Sequence, residues 1–249
     1  MEAASTERVL AAWRRVTGAP GAFREPGTVV VARTDQTGGA RGATVVTLAG
    51  ATCVVASADL AGGLDAGTAG RLTDPAQARR ILGPGLEVLG PAVLAFADRS
   101  SLRAAPDGPD GPGQAEPVDA VDAGAAELER LAAACDPAEL AESGLGTWTQ
   151  WVHVVRERGL VVAAAGIEVW AGTLAHVGVL TRADRRGRGL ARTVAGGAAR
   201  AALAEGLVAQ WRARTTLTPS RRVAAALGFV ELGAQVTYKL TRGSAGARR

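Results

Sequence analysis

At 249 residues the chain exceeds the roughly 100 to 150 of a common single domain, so it has room for two modest domains, each large enough to bury a core. The composition, 47% hydrophobic and 21% charged with aromatics at 4%, is that of a soluble globular protein whose interior is packed from small aliphatic side chains, and no stretch approaches the ~20 apolar residues of a membrane span. A net charge of +4 favours phosphate-bearing partners without separating a nucleic acid from a phosphorylated cofactor, and the distant pair Cys53 and Cys135 fits neither a disulfide framework nor a zinc site. The expectation is a cytoplasmic protein with no metal, no membrane contact and two buried thiols.

Along the chain, Glu7 to Val16 follows Ser5 as an N-cap and puts Val9, Leu10, Trp13 and Val16 on one helical face. The β-branched runs Gly27 to Ala32, Ala43 to Leu48 and Thr52 to Ser57, separated by glycine-rich turns, predict a small antiparallel sheet. Thr73-Asp74-Pro75 starts a helix through Leu82, and Ala92 to Ala97 reads as a short buried strand. The stretch 104–117 is dense in Pro, Gly and Asp and reads as a solvated linker, which divides the chain into a first α+β domain (1–103), a second domain (118–243) and a basic tail (244–249).

The second part opens with a strand at Val118 to Val121, a helix at Ala123 to Ala134 and a short helix after Asp136-Pro137. Apolar strands follow at Trp151 to Arg156, Leu160 to Val169 and Leu174 to Thr181, then a long helix, Gly189 to Ala204, which Gly206 ends. A strand at Val208 to Arg212, a helix introduced by Thr218-Pro219 and stopped at Gly228, and strands at Phe229 to Leu232 and Gln235 to Leu240 complete the order.

The chemically informative stretch is Val177 to Arg192, VGVLTRADRRGRGLAR, where an apolar strand runs into a glycine-punctuated turn that opens a helix. Gly187 and Gly189 let the backbone approach an anion, the free amides of the first helical turn point outward, and the helix dipole adds partial positive charge; Arg186, Arg188 and Arg192 reinforce it. The spacing is neither that of a dinucleotide fold nor that of a nucleoside-triphosphate loop.

With Arg186, Gly189 and Ala191 the turn resembles the Gln/Arg-x-x-Gly-x-Gly/Ala signature of the GNAT superfamily of acyl-CoA N-acyltransferases. Ser220 to Phe229, SRRVAAALGF, is similar to that family's last helix with its Leu-Gly-Phe ending, and the likeness spans roughly Val118 to Leu240. The AHVGVLT strand and the segment Gln210 to Arg212 look like a poorly characterised bacterial acetyltransferase branch. The resemblance implies an α/β (α+β) fold with a mixed, mainly antiparallel sheet flanked by helices; the preceding small α+β domain could be a degenerate copy of the same fold.

It also implies acetyl-CoA as co-substrate and an amine as acceptor. Val179, Leu180 and Thr181 then offer backbone hydrogen bonds to the pantetheine arm, and the amides of Gly187, Arg188, Gly189, Leu190 and Ala191 hold the pyrophosphate. Ser220 either caps its helix or touches the cofactor. Candidates for the base that takes the amine proton are His176 and Glu168, which flank the cofactor strand, with His153 a weaker one.

Two departures from the family pattern matter. The tyrosine that commonly protonates the leaving thiolate is replaced by Ala224, the chain's one tyrosine being Tyr238 on the final strand, and a frequent asparagine is replaced by Leu217. The alternative is therefore a catalytically weak acyl-CoA-binding sensor or scaffold. A nucleic-acid surface is not expected, because the arginine clusters lack interleaved aromatics and any recognised motif. A homodimer is compatible with the sequence.

Overall fold

The computed structural model of the chain describes residues 1–33, 41–103, 116–118, 125–148 and 150–240. The expected linker lies outside these apart from Glu116 and Pro117, as do 241–243 and the basic tail. The elements are α1 (Ala3–Thr17), β1 (Gly27–Ala32), β2 (Gly42–Leu48), β3 (Ala51–Ala56), α2 (Ala58–Ala61), α3 (Ala66–Gly70), α4 (Pro75–Leu82), β4 (Leu86–Ala97), β5 (Glu116–Val118), α5 (Ala125–Ala133), α6 (Pro137–Ser143), β6 (Gln150–Glu157), β7 (Leu160–Trp170), β8 (Leu174–Thr181), α7 (Leu190–Ala204), β9 (Val208–Arg214), α8 (Thr218–Ala226) and β10 (Val230–Leu240). The described residues fall into two compact units: those within 1–9, 95–212 and 217–230 form one, and those within 10–94, 213–216 and 231–240 the other.

In the first unit the strands lie in the order β9-β8-β7-β6-β5. β5 to β8 are mutually antiparallel and β9 runs parallel to β8. α7 covers one face and α5 with α6 the other. α7 can lie close to the strands because its buried side is mostly Gly and Ala, from Ala195 through Ala199, and a Cβ built on Gly197 would stand 2.5 Å from the His153 ring on β6. The opposite face holds a core of Leu128, Leu131, Trp148, Val152, Val154, Val161, Ala164 and Leu180. Asp136 caps α6 by accepting from the Ala138 amide at 2.7 Å, with Pro137 at the first helical position as the sequence predicts.

In the second unit the order is β1-β3-β2-β10-β4. The antiparallel sheet expected here is found for β2 with β3, but β1 pairs parallel to β3. The two short final strands of the sequence reading are one, β10, and it pairs antiparallel with β2 over seven residues. Its Tyr238 is fully buried and donates to the Leu72 carbonyl at 2.6 Å, which satisfies a hydroxyl that would otherwise be costly in this core of Ala43, Val45, Val54, Leu72 and Val236. α1 starts earlier than expected, so Ser5 lies inside the helix, buried, instead of capping it. Both cysteines are free thiols, Cys53 buried and Cys135 only half-buried.

Candidate functional site

The site is built on the fork between β8 and β9. Their parallel pairing covers Leu174 to His176 against Val208 to Gln210 and then stops, while β8 continues to Thr181. Backbone direction alternates along the strand. Thr173 turns its carbonyl to Val208 on the β9 side, and Arg182 turns its amide to Val162 on the β7 side. Val177, Val179 and Thr181 therefore present their backbone groups to the open side of the fork, over a span of ~13 Å. Leu180 turns its backbone to Ala164 of β7 and packs its side chain in the Trp148 core.

Thr181 leads into the turn. Gly187 (φ +77°) and Gly189 (φ +80°) are both left-handed, and Gly189 is the N-cap of the 15-residue α7. Alternating left- and right-handed residues make successive amides converge into an anion-binding concavity, at the positive end of a helix dipole. Among the described residues, the amides of Gly187, Arg188, Gly189, Leu190 and Ala191 donate to no hydrogen bond, the first engaged ones being Arg192 and Thr193, both to the Gly189 carbonyl. A Cβ at Gly187 or Gly189 would meet nothing within 4 Å, so the space before the amides is open.

Two further polar atoms flank the turn. Thr181 Oγ1 and Arg192 Nε are buried with no hydrogen-bond partner among the described residues. Such orphans are few in native proteins and point to a group supplied from outside. The arginine side chains behave differently from expectation: Arg186 is ion-paired with Glu139 of α6, and Arg188 and Arg185 reach Glu157 of β6 at 2.7 and 3.0 Å. They fix the loop to its neighbours, while the amides stay open.

At the closed end of the fork lie the two candidate bases. Glu168 and His176 are direct cross-strand partners in the antiparallel β7–β8 ladder, so their side chains share a face. Thr147 Oγ1 donates to the Gly144 carbonyl at 2.8 Å and lies 3.3 Å from Glu168 Oε2. The His176 ring lies 4.9 Å from that of Trp170, and the Arg212 guanidinium sits 5.9 Å from the same indole. Burial, then the Arg212 charge, push the His176 pKa down to about 4, opposed by a hydrogen bond to the Gln210 backbone. Nδ1 has no partner among the described residues, so Nε2 carries the proton to Gln210 and Nδ1 keeps a lone pair. His153 lies on the other face of the sheet against Gly197, apart from this pair.

Ser220 does not cap α8. The cap position is Leu217, without a side-chain bond, and Ser220 Oγ accepts from the Trp211 indole at 3.0 Å. Ala224 is buried, and Tyr238 belongs to the other compact unit with its pKa pushed up to about 12 by burial.

Trp148 was not singled out by the sequence reading. Its ring lies over Gly166 and Gly178, paired across β7 and β8, and its indole donates to the Ser143 carbonyl at 3.0 Å. Glycine inside two strand patterns was the available signal, since it marks close approach of another group. Val177 was missed as well, though strand alternation links it to Val179 and Thr181.

Residues 138–238 match the family model described as GNAT acetyltransferase. A GCN5-related N-acetyltransferase from Kribbella flavida is 19% identical, with a TM-score of 0.50 over 69% of this chain and 66% of that one, which supports the fold. An acetyltransferase of the GNAT family from Novosphingobium aromaticivorans DSM 12444 is 26% identical over 64% of this chain and 70% of that one, with a TM-score of 0.48. An acetyltransferase from the GNAT family from Colwellia psychrerythraea is 13% identical over 62% and 57%, with a TM-score of 0.48. The likeness thus spans between 57% and 70% of the length of these proteins. No curated protein sequence matches the chain. Residues 138–238, which hold the open amide turn and the forked strands, thus match a GNAT acetyltransferase domain, and the fold is like that of the Kribbella flavida protein.

Proposed function

We propose that the chain is an N-acetyltransferase, moving an acetyl group from acetyl-CoA to a primary amine by direct attack. The observation that carries this reading is the run of five amides, Gly187 to Ala191, left without acceptors at the start of α7. These residues fit a diphosphate, with Thr181 Oγ1 and Arg192 Nε as further donors, and the free edge of Val177, Val179 and Thr181 fits an extended amide-bearing arm. Ser220, whose oxygen accepts from Trp211, keeps its own proton to donate toward the cofactor.

When bound, acetyl-CoA supplies an electrophilic acyl carbon and a thiolate leaving group. The chain's own part is orientation and proton handling. An amine held beside Glu168 and His176 forms the C–N bond as the C–S bond breaks, and the proton it sheds goes to the Glu168 carboxylate or to His176 Nδ1. No tyrosine stands ready to protonate the sulfur, since Ala224 occupies the usual position; a thiol of ordinary pKa, about 8.5, leaves without that help, at a lower rate.

The test is calorimetric titration with coenzyme A together with thiol release from acetyl-CoA over a panel of amines. Saturable binding with amine-dependent release supports transfer. Binding without release from any amine favours the second reading, an acyl-CoA sensor or scaffold, for which Ala224 and the weakly basic His176 speak.

A further inference from the structure

One edge of the sheet in the second unit is open. Among the described residues β1 is the outermost strand there, and it pairs with β3 alone, over all six of its residues and without a register shift. Parallel pairing engages alternate residues. The Arg33 amide donates to the Ala56 carbonyl at 2.6 Å, so Val29 and Val31, in step with it, turn their backbone groups to β3, and Thr28, Val30 and Ala32 turn theirs outward. Among the described residues, these three outward amides and three outward carbonyls meet no hydrogen-bond partner.

Natural sheets blunt such an edge with a charged side chain, a proline, a bulge or a covering segment. β1, GTVVVA, carries no charge and no proline, and the nearest charged residues, Glu25 and Arg33, stand beyond its two ends. The helices of this unit lie against a face of the strand and leave its edge clear. Val30 packs on the core of Val54, Ala69 and Leu72, and Thr28 Oγ1 would stand 3.0 Å from a Cβ on Gly70 of α3. Val29, on the opposite face, is 36% exposed.

The strand complements itself. Laid antiparallel against its own copy with Val30 opposite Val30, it sets Thr28 opposite Ala32 at either end, so each outward residue meets an outward residue and every outward amide and carbonyl is used. Sliding the pair by two residues leaves one outward residue of each chain without a partner. In the centred register Val29 of one copy lies opposite Val31 of the other, and both lose water. The contact is two-fold, so it closes with two chains and leaves no further copy of this edge exposed.

We propose that the outer edge of β1 is the surface at which two copies of this chain associate, by antiparallel pairing of residues 27–32 centred on Val30. Association of this kind does not depend on acetyl transfer, since β1 and the amide turn belong to different compact units. A single strand pair is smaller than the roughly 1,200–2,000 Å² of a stable interface, so the dimer dissociates in the micromolar range.

The experiment measures sedimentation of the full chain from about 1 to 100 μM, with amide hydrogen exchange at both ends of that range. The expected result is a monomer–dimer equilibrium in which the amides of Thr28, Val30 and Ala32 exchange several-fold more slowly at the high end. Val29→Lys sets a charge opposite Val31 of the other copy, and Ala32→Pro removes an outward amide without taking a bond from the pairing with β3. Each should weaken association at least about tenfold. Urea midpoints near that of the wild type certify folding, and if Ala32→Pro fails this check Val29→Lys decides alone. A chain that stays monomeric at the high end overturns the proposal, as does a dimer that the folded variants leave intact. Slow exchange of the three amides in the dilute monomer also overturns it, because the chain would then cover its own edge.

Discussion

His176 is where burial and chemistry meet most directly. The imidazole is held between the Trp170 ring, the Gln210 backbone and the field of Arg212, and its pKa falls from the ordinary 6.5 to about 4. The unfolded chain therefore binds a proton between those values that the folded chain refuses. Stability contributed by the neutral ring is fully present above about pH 6.5 and is lost as the pH falls toward about 4, amounting to about 3 kcal/mol. Urea midpoints at pH 7 and pH 4.5 should show the wild type losing about 2 kcal/mol more than His176→Gln over that interval; equal losses would show the ring to be protonated in the fold. The same low pKa means that a profile of activity against pH carries no limb from His176 near neutrality, so such a limb should persist unchanged in His176→Gln.

At the scale of elements, the turn before α7 and the slot for Trp148 differ in how they were encoded. The turn is local chemistry: Gly187, Gly189 and the helix start are adjacent in sequence, and their spacing alone pointed to an anion. Gly189→Val adds no clash, because nothing lies within 4 Å of the new Cβ, but it forces a β-branched residue to φ +80° at about 1–2 kcal/mol and spoils the converging amides. Coenzyme A affinity should drop at least about tenfold by calorimetry while the far-ultraviolet spectrum stays unchanged. The slot depends on pairing instead. Gly166 and Gly178 are twelve positions apart and meet only because β7 and β8 adopt one register, which no local pattern states. A Cβ at Gly178 would stand 2.1 Å from both the Ser143 carbonyl and the Trp148 indole nitrogen, so Gly178→Ala should cost about 1–3 kcal/mol, read as a lowered urea midpoint with a shifted tryptophan emission. The same limit hid the surroundings of the candidate bases: Glu168 and His176 were visible as candidates, whereas the contacts of Trp170 with His176 and of Arg212 with Trp170 come only from cross-strand and stacking geometry.

For the whole molecule, chain order and compactness do not coincide. The strand-turn-helix motif, most of the element order and the family resemblance were legible, because they depend on periodicity and turn residues; the short helices α2 and α3 and the union of the last two strands were not. The partner of the last strand was not. β10 finds β2, almost two hundred residues earlier, through seven register pairs, and Tyr238 finds the Leu72 carbonyl. Non-local pairing of this kind leaves no mark in a window of sequence. It has a physical consequence: a fragment beginning at residue 118 strands β10 without β2 and buries a tyrosine hydroxyl site with no acceptor, so it should fail to unfold cooperatively by calorimetry, whereas two contiguous domains would survive the cut.

The proposed grip on coenzyme A rests on five backbone amides. Amide-resolved nuclear magnetic resonance during titration with coenzyme A reads them individually: the signals of Gly187, Arg188, Gly189, Leu190 and Ala191 should shift downfield together, saturate at one ligand per chain and exchange more slowly with solvent, as donors that have acquired an acceptor do. A titration that saturates while leaving those five signals in place, or that never saturates, would contradict it.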